Sequence, residues 1–324
     1  MRKLAALGAT PCLDPIPSDL VAAKCIPPGF MVPTGWQVMV DYYQNKDTKT
    51  WVPWSKMVSP VPSIAPPRPA GSLSAEGAYG TTSYVLKFSD KNQNAITPWH
   101  QIALHVPAEP ESAITHGQLF NFIIEIPAGT TAKMEVQKEV EHNPIMQDTK
   151  KGAVRYYTYG VPFFNYGLLP QTWEDPVVQV GEHAGDNDPL DVMEVGSVRY
   201  PMGSVVPVKV LGAFELIDQG ELDYKIIVLS IEDPDAAKIN DIADLATHKP
   251  GVVDLLVDWL KKYKTTDGKA LNELTSDTPT NRKGAEAVIA ITHEHWKSLA
   301  GRKIVTPEEF YIGEKSTNFA ADLR

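Results

Sequence analysis

Short apolar runs separated by turn residues dominate the chain from residue 84 onward. Five such runs, rich in Val, Ile, Phe and Tyr, span 84–88, 120–126, 133–136, 205–216 and 224–231. β-Branched and aromatic residues between turn residues are typical of strands. Polar and apolar residues alternate in 133–136, so Lys133 and Glu135 are expected on one face. Many short strands of this kind predict a barrel or a sandwich.

Two later segments have the period of a helix instead. Apolar residues recur at helical spacing after Pro250, and the first set comprises Val252, Leu255, Leu256, Trp259, Leu260 and Tyr263. The second set comprises Ala285, Ile289, Thr292 and Trp296, followed by Gly301 at a C-cap position. Pro before a helix and Gly after it are common boundary signals. We therefore predict an α+β fold, a barrel with helices packed outside it.

The N-terminal part of the chain has a different composition. Pro is frequent up to about residue 70, and the segment 58–69 is typical of a polyproline-like linker. One strand is predicted in this part, over 35–43. The shift in composition near residue 70 marks a boundary. We predict a Pro-rich N-terminal extension over 1–83 and a folded domain over 84–324.

Charge and composition exclude several classes of protein. The 324 residues hold 40 acids against 30 bases, a net charge of -10, which disfavours a general nucleic-acid binder. The longest uncharged run, 25–40, contains three prolines and is too short to span a bilayer, so no membrane insertion is expected. Cys12 and Cys25 are the only cysteines, which excludes a disulfide framework and a Cys-based zinc site.

Three carboxylates are crowded into residues 185–191. Asp186, Asp188 and Asp191 lie among apolar neighbours, which favours a partly buried loop over an acidic surface turn. Carboxylates close together in a buried loop raise one another's pKa, and a divalent cation removes that penalty. Oxygen ligands without His or Cys suit Mg²⁺, Mn²⁺ or Ca²⁺.

Further charged residues extend this picture. Asp218 ends one predicted strand, and Asp223 and Lys225 begin the next. A basic set consists of Lys133, Arg155, and Lys264 beside Tyr263. Acids that hold metal ions, together with bases that hold an anion, are typical of phosphoryl chemistry.

Four motifs resemble those of the family I soluble inorganic pyrophosphatases. They are DNDPLD at 186–191, NPIMQDTKKG at 143–152, NYG at 165–167 and PQTWED at 170–175. The second and fourth are typical of the eukaryotic branch, and the similarity covers about residues 84–300. The resemblance implies a five-stranded, OB-like β-barrel with flanking helices. It also implies hydrolysis of pyrophosphate to two phosphates with several Mg²⁺ ions, for which Mn²⁺, Zn²⁺ or Co²⁺ can substitute and which Ca²⁺ displaces with inhibition.

The resemblance also assigns roles to individual residues. By similarity, the two metal ions that clasp the attacking water are held by Asp186, Asp191 and Asp223. Asp188 is the general base, Asp218 joins Asp223 on a third ion, and Glu135 reaches a fourth through water.

The remaining roles concern the substrate. Lys133 and Tyr166 are expected to grip the phosphoryl group under attack. The leaving phosphate is expected on Arg155, Tyr263 and Lys264. Three further residues complete the charge network: Lys225, Glu125 and Glu174. Lys225 also belongs to the substrate-binding set.

The chain departs from the family pattern at three places, one of which is the N-terminal 80 residues, which match nothing in the catalytic family. Pro162 stands where members have a tyrosine, and Tyr157 or Tyr159 is the candidate replacement. Ala128 and Gly129 stand where eukaryotic homodimers have an Arg-Trp pair. A homo-oligomer is still the family expectation.

Several alternatives remain open from the sequence. The activity alternatives are a broader short-chain polyphosphatase and a non-catalytic regulatory protein that binds metal and phosphate. The family is mainly cytoplasmic. An acidocalcisome or another acidic organelle is the alternative location, because organellar enzymes of protists carry N-terminal extensions.

Overall fold

A computed structural model describes residues 71–107, 118–302 and 310–313. In the first 70 residues it describes only the backbone of five short strands: β1 (Thr10–Pro11), β2 (Cys25–Ile26), β3 (Tyr42–Gln44), β4 (Trp51–Pro53) and β5 (Ser63–Ile64). The predicted strand over 35–43 and linker over 58–69 otherwise lie outside the described residues.

Seventeen further strands follow in the described ranges. They are β6 (Ser72–Glu76), β7 (Val85–Ser89), β8 (Ala95–Ile96), β9 (Phe120–Ile126), β10 (Met134–Val136), β11 (Ile145–Gln147), β12 (Thr149–Lys150), β13 (Ala153–Val154), β14 (Asn165–Leu168), β15 (Gln179–Val180), β16 (His183–Ala184), β17 (Asp191–Glu194), β18 (Val198–Arg199), β19 (Val205–Asp218), β20 (Glu221–Ser230), β21 (Glu273–Leu274) and β22 (Thr280–Asn281). The helices are α1 (Pro98–Gln101), α2 (Leu245–His248), α3 (Val252–Lys262) and α4 (Arg282–Ala300).

Five strands of the main sheet pair in a cycle. The order is β9, β14, β17, β20 and β19, and β19 pairs again with β9. The β17–β20 pair is parallel and the other four pairs are antiparallel. The predicted α+β class is confirmed in its coarse form, a mixed sheet with few helices. All five predicted strand runs overlap observed strands.

A second sheet contains β10, β11, β7 and β6 in that order, with β8 beside β7. β6 begins at Ser72, before the predicted domain start at residue 84, and it pairs with β7 from Ser72 opposite Ser89 to Glu76 opposite Val85. The sheet that contains β10 therefore also includes residues from the predicted extension.

A tight hairpin joins β19 to β20. Gln219 and Gly220 have φ values of 56° and 100°, the left-handed conformation that a two-residue turn requires. Asp218 faces Glu221, and Leu216 faces Asp223. The two acids predicted to share an ion, Asp218 and Asp223, therefore flank one hairpin.

The two predicted helices are present and cover the sheet. α3 packs Trp259 into a buried cluster that includes Phe214 of β19. α4 packs Ile289 into another that includes Val208 of β19, and Asn281 caps its N-terminus by accepting from the Gly284 N–H at 3.1 Å. Within the described part of the chain, no helix has the length and apolar content needed to cross a bilayer.

Candidate active site

A cavity of about 320 Å³ lies between β17, β20 and α3. It is lined by all but one of the residues predicted for the site: Glu125, Lys133, Glu135, Arg155, Tyr166, Asp186, Asp188, Asp191, Asp218, Asp223, Lys225, Tyr263 and Lys264. The exception, Glu174, lies behind this lining, where one of its carboxylate oxygens lies within 4.8 Å of oxygens of Asp186 and Asp223.

The acidic loop is held in place by the neighbouring motif at 170–175. Asn187 has a left-handed backbone with φ of 70°, and its side chain accepts from the Trp173 indole N–H at 3.1 Å. Glu174 donates its backbone N–H to the Asp188 carbonyl at 2.9 Å. Asp186 Oδ1 accepts from the Asp188 backbone N–H at 3.0 Å. Two motifs that are separate in sequence therefore fix one loop.

Lys225 is the buried cation of the site. The parallel register places it opposite Asp191, and its ammonium contacts the Asp191 carboxylate. The same nitrogen lies 2.6 Å from Asp223 Oδ1 and 3.2 Å from the Tyr166 hydroxyl. Because its side chain is only 3% exposed, one ammonium balances two carboxylates in a poorly hydrated place.

The remaining carboxylates outnumber the cations that face them. Glu174, Asp186 and Asp223 each offer an oxygen within 4.8 Å of the others. Within the described residues, Glu174 Oε2 and Asp218 Oδ1 are buried without a hydrogen-bond partner. Burial, followed by the neighbouring carboxylates, raises the pKa of Asp186 and of Glu174 well above the usual range. Burial raises the pKa of Asp223 to about 7, although Lys225 opposes the shift. A divalent cation would supply the missing positive charge.

The three carboxylates that lie close together differ by one residue from the set predicted to hold the first two metal ions. Asp186 and Asp223 are together as predicted, but the third member of the close group is Glu174. Asp191 is held by Lys225. Asp188 lies apart from the group with its side chain half exposed.

The predicted basic residues form two ion-pair groups. Lys133 pairs with Glu135 and with Asp148, at 3.0 Å from Asp148 Oδ2, and Arg155 lies 2.5 Å from the same oxygen. Lys264 contacts Asp218 at the β19–β20 hairpin. Burial opposes ionisation of Asp148, but Lys133 and Arg155 together hold its pKa below the usual range. Asp148 lies in the motif at 143–152 and had no predicted role.

The comparison with protein families decides the identity. The family model for inorganic pyrophosphatase matches residues 122–297. The chain belongs to the inorganic pyrophosphatase family.

Known members of the family cover most of the same region. The chain is 41% identical over 241 residues to soluble inorganic pyrophosphatase 6, chloroplastic, of Arabidopsis thaliana, across 73% of this chain and 77% of the relative. It is 44% identical over 234 residues to an inorganic pyrophosphatase of Eremothecium gossypii, across 70% and 79%. An N-terminally truncated vacuolar soluble pyrophosphatase of Trypanosoma cruzi, solved in complex with PPi, is 36% identical with a TM-score of 0.67, across 74% of this chain and 95% of that chain.

These matches confirm the predicted family and the predicted enzyme class, an inorganic diphosphatase that hydrolyses pyrophosphate. Two further features of this pyrophosphatase were not assigned from its sequence. One concerns the tyrosine missing at Pro162, and the other a lysine to which sequence analysis gave no role.

The two candidate tyrosines have different surroundings. Tyr157 lines the cavity. Tyr159 donates its hydroxyl to Asp258 Oδ2 of α3 at 2.8 Å and is not among the residues that line the cavity. Of these two tyrosines, it is Tyr157 that presents its ring to the cavity.

Lys138 is a second residue, besides Asp148, that had no predicted role. It lines the cavity, and its ammonium lies 2.5 Å from Asp188 Oδ1 and 2.9 Å from the Asn187 carbonyl. The C-terminal segment holds it in place: the ammonium lies 5.2 Å from the centroid of the Phe310 ring, and the Tyr311 N–H donates to the Lys138 carbonyl at 2.8 Å. β10 ends at Val136, so the strand period that grouped Lys133 with Glu135 does not reach Lys138.

Proposed function

We propose that this enzyme hydrolyses pyrophosphate with Asp188 as the general base for the attacking water and with Lys133, Arg155, Tyr166, Tyr263 and Lys264 as the ligands of the two phosphates. The observation that carries the proposal is the cavity itself, which brings these cations and hydroxyls together with five aspartates. Pyrophosphate is a compact, highly charged anion, and such a lining can bind it and stabilise the charge that develops on the leaving group.

The carboxylates of the site fit divalent metal ions. Among the described residues the cavity lining contains no His or Cys, and the orphan oxygens of Glu174 and Asp218 are the hard donors that such ions prefer. We assign two ions to Asp186, Asp191 and Asp223, a third to Asp218 with Asp223, and a fourth to Glu135. When bound, these ions lower the pKa of a water and neutralise phosphate oxygens. Mg²⁺ is the proposed ion, with Mn²⁺, Zn²⁺ or Co²⁺ as substitutes and Ca²⁺ as an inhibitor.

The chain's own residues would perform the following steps. A water oxygen attacks one phosphorus, its proton passes to a carboxylate oxygen of Asp188, and the bond to the bridging oxygen breaks. Lys133 and Tyr166 hold the phosphoryl group under attack. Arg155, Tyr263 and Lys264 hold the phosphate that leaves, so that charge moves toward groups already positioned to receive it.

The supporting residues keep the reacting groups in register. Lys225 orients Asp191, Asp223 and the Tyr166 hydroxyl through one ammonium. Glu125 accepts from the Val136 N–H at 2.6 Å, and Glu174 accepts from the Tyr224 N–H at 3.0 Å. These contacts couple two strands of the site, β10 and β20, to buried carboxylates.

We extend the proposal to the architecture and the cell. The cycle of five strand pairs supports the OB-like barrel that the family resemblance implies. We keep the proposed domain over 84–324, a homo-oligomer, and a cytoplasmic location. The words "chloroplastic" and "vacuolar" in the names of two similar proteins support the alternative of an organelle, such as an acidocalcisome.

Phosphate release tests the proposed function. Wild-type protein is incubated with pyrophosphate at neutral pH with Mg²⁺, with Ca²⁺ or with EDTA. We expect rapid release with Mg²⁺ only. Asp188→Asn should lower kcat by about 10³-fold, in the usual range for removal of a general base. Asp254→Asn on the exposed face of α3 is the charge-matched control and should keep full turnover. Full turnover of Asp188→Asn would exclude this mechanism.

The same assay separates the alternative activities. Phosphate release from tripolyphosphate at a rate comparable to that from pyrophosphate would favour the polyphosphatase. Absence of turnover by folded wild-type protein with any of the ions would favour the non-catalytic binding protein.

A further inference from the structure

Tyr157 presents a fixed phenol to the cavity. Its backbone N–H donates to the Thr131 carbonyl at 2.7 Å. Its ring packs edge-on against Trp259, with centroids 5.5 Å apart, and against Tyr263, with centroids 6.0 Å apart. Since contacts on two sides restrict rotation of the ring, the hydroxyl has a defined direction.

The hydroxyl of Tyr157 has no hydrogen-bond partner among the described residues, although hydroxyls in partly buried places usually have one. Within the described part of the chain it makes no hydrogen bond, whereas the Tyr166 hydroxyl is bound by Lys225 at 3.2 Å and the Tyr159 hydroxyl binds Asp258 at 2.8 Å. A partly buried hydroxyl without a protein partner is costly unless water or a ligand bonds to it.

The surroundings of Tyr157 favour donation to an anion. Burial, followed by the nearby Asp191 carboxylate, raises the pKa of its hydroxyl, so the group keeps its proton at neutral pH. Lys225 and Arg155 are close enough to oppose that shift in pKa, so two cations lie in the same region of the cavity as the Tyr157 hydroxyl. The cations attract an anion, and the neutral O–H can donate a directed hydrogen bond to that anion.

We propose that Tyr157 is a substrate-binding residue whose hydroxyl donates a hydrogen bond to a phosphate oxygen of pyrophosphate. The inference rests on the proposed function. It assigns this role to Tyr157 and not to Tyr159. Tyr157 then becomes the third tyrosine proposed to bind phosphate, with Tyr166 and Tyr263.

The test is removal of single hydroxyl groups. Tyr157→Phe keeps the ring contacts and loses only the donor. We expect kcat/KM for pyrophosphate with Mg²⁺ to fall about tenfold, and the inhibition constant of the product phosphate to rise about tenfold, as for loss of one hydrogen bond to a charged group. Tyr159→Phe is the matched competitor, and Tyr156→Phe, whose ring is exposed, is the matched control. Both should stay within about twofold of wild type on both measures.

The inhibition constant distinguishes binding from a structural effect. A fraction of misfolded enzyme lowers the apparent kcat but leaves the inhibition constant of phosphate unchanged. If Tyr157→Phe leaves that constant within twofold of wild type, the inference is wrong, whatever the change in kcat. If wild type itself releases no phosphate, the proposed function fails. If wild type is active and only Tyr159→Phe weakens phosphate binding, this inference alone fails.

Discussion

Acidic side chains are buried in two regions of the molecule, and the two regions satisfy them differently. The interior cluster consists of Glu194, Asp233 and Lys249. Asp233 Oδ2 accepts from the Lys249 ammonium at 3.0 Å, and from the backbone N–H and the hydroxyl of Ser197 at 2.7 and 3.0 Å. Its Oδ1 accepts from the Asp235 N–H at 2.9 Å. Each oxygen of Asp233 therefore has a donor.

Glu194 is satisfied in the same way. One oxygen accepts from the backbone N–H groups of Gly196 and Ser230 at 2.8 and 3.0 Å. The other accepts from the Asn165 side chain at 2.8 Å. Because Asn165 precedes Tyr166 on β14, the interior cluster also anchors the strand that carries a proposed substrate ligand.

The cavity cluster, formed by Glu174, Asp186 and Asp223, is built differently. Its members lie within 4.8 Å of one another, and Glu174 retains a buried oxygen with no donor among the described residues. Fully bonded buried acids hold a fold together, whereas crowded acids with oxygens to spare leave carboxylate oxygens available to a ligand. The difference separates a structural use of buried charge from a functional one.

The largest effect is expected from unpairing the interior cluster. Lys249→Met leaves the Asp233 carboxylate buried without its cation, so the free energy of unfolding should fall by about 3–5 kcal/mol. Urea denaturation in EDTA measures it. Lys238→Met removes an exposed partner of Asp235 and should change the same quantity by less than about 1 kcal/mol. Equal losses of unfolding free energy in the two variants would show that the buried Lys249–Asp233 pair contributes no more than the exposed Lys238–Asp235 pair.

The second effect concerns activity. Lys138→Met removes the ammonium that holds Asp188, so the proposed general base loses its fixed orientation, and kcat should fall about tenfold. Steady-state phosphate release measures kcat. Lys297→Met on the exposed side of α4 is the control and should retain wild-type kcat. An unchanged kcat in Lys138→Met would mean that the contact with Asp188 is not used in the reaction.

The smallest effect sharpens the contrast most directly. The raised pKa of Asp186 means that its ionised form destabilises the folded state at pH 7, above its pKa in the unfolded chain. Asp186→Asn should therefore raise the free energy of unfolding in EDTA by about 1 kcal/mol. It should also reduce the additional stability that wild type gains from Mg²⁺. Asp254→Asn removes an exposed acid from the first turn of α3, so it should lower the free energy of unfolding in EDTA by less than about 1 kcal/mol and leave the gain from Mg²⁺ unchanged. A loss of stability in EDTA would place Asp186 with the interior acids.

Local patterns predicted the secondary structure well. The run 120–126 is β9, and the helical spacing after Pro250 is α3. The end of β19 and the start of β20 extend further than predicted, to Asp218 and from Glu221, because hairpin pairing continues through polar residues that an apolar pattern does not count. Strand pairing across the chain is a tertiary property, and the apolar pattern that predicted a barrel did not give the order in which its strands pair.

The site was predicted in composition but not in every contact. The resemblance listed the residues that line the cavity, since motifs report chemistry directly. Lys138 and Asp148 went unassigned because their partners lie 50 and 7 residues away, at Asp188 and Arg155. For the same reason, the choice between Tyr157 and Tyr159 depended on what each hydroxyl meets in space.

The sequence by itself determined the family, the reaction and the acidic and basic residues available for it, because these depend on residue types at short, recognisable spacings. The tertiary structure alone decided which charges are balanced and which are left for a ligand. That balance is set by distances between strands and loops that are remote in the chain. Lys225 contacts Asp191 across the parallel β17–β20 pair, and Glu174, from the motif at 170–175, lies close to Asp223 of β20.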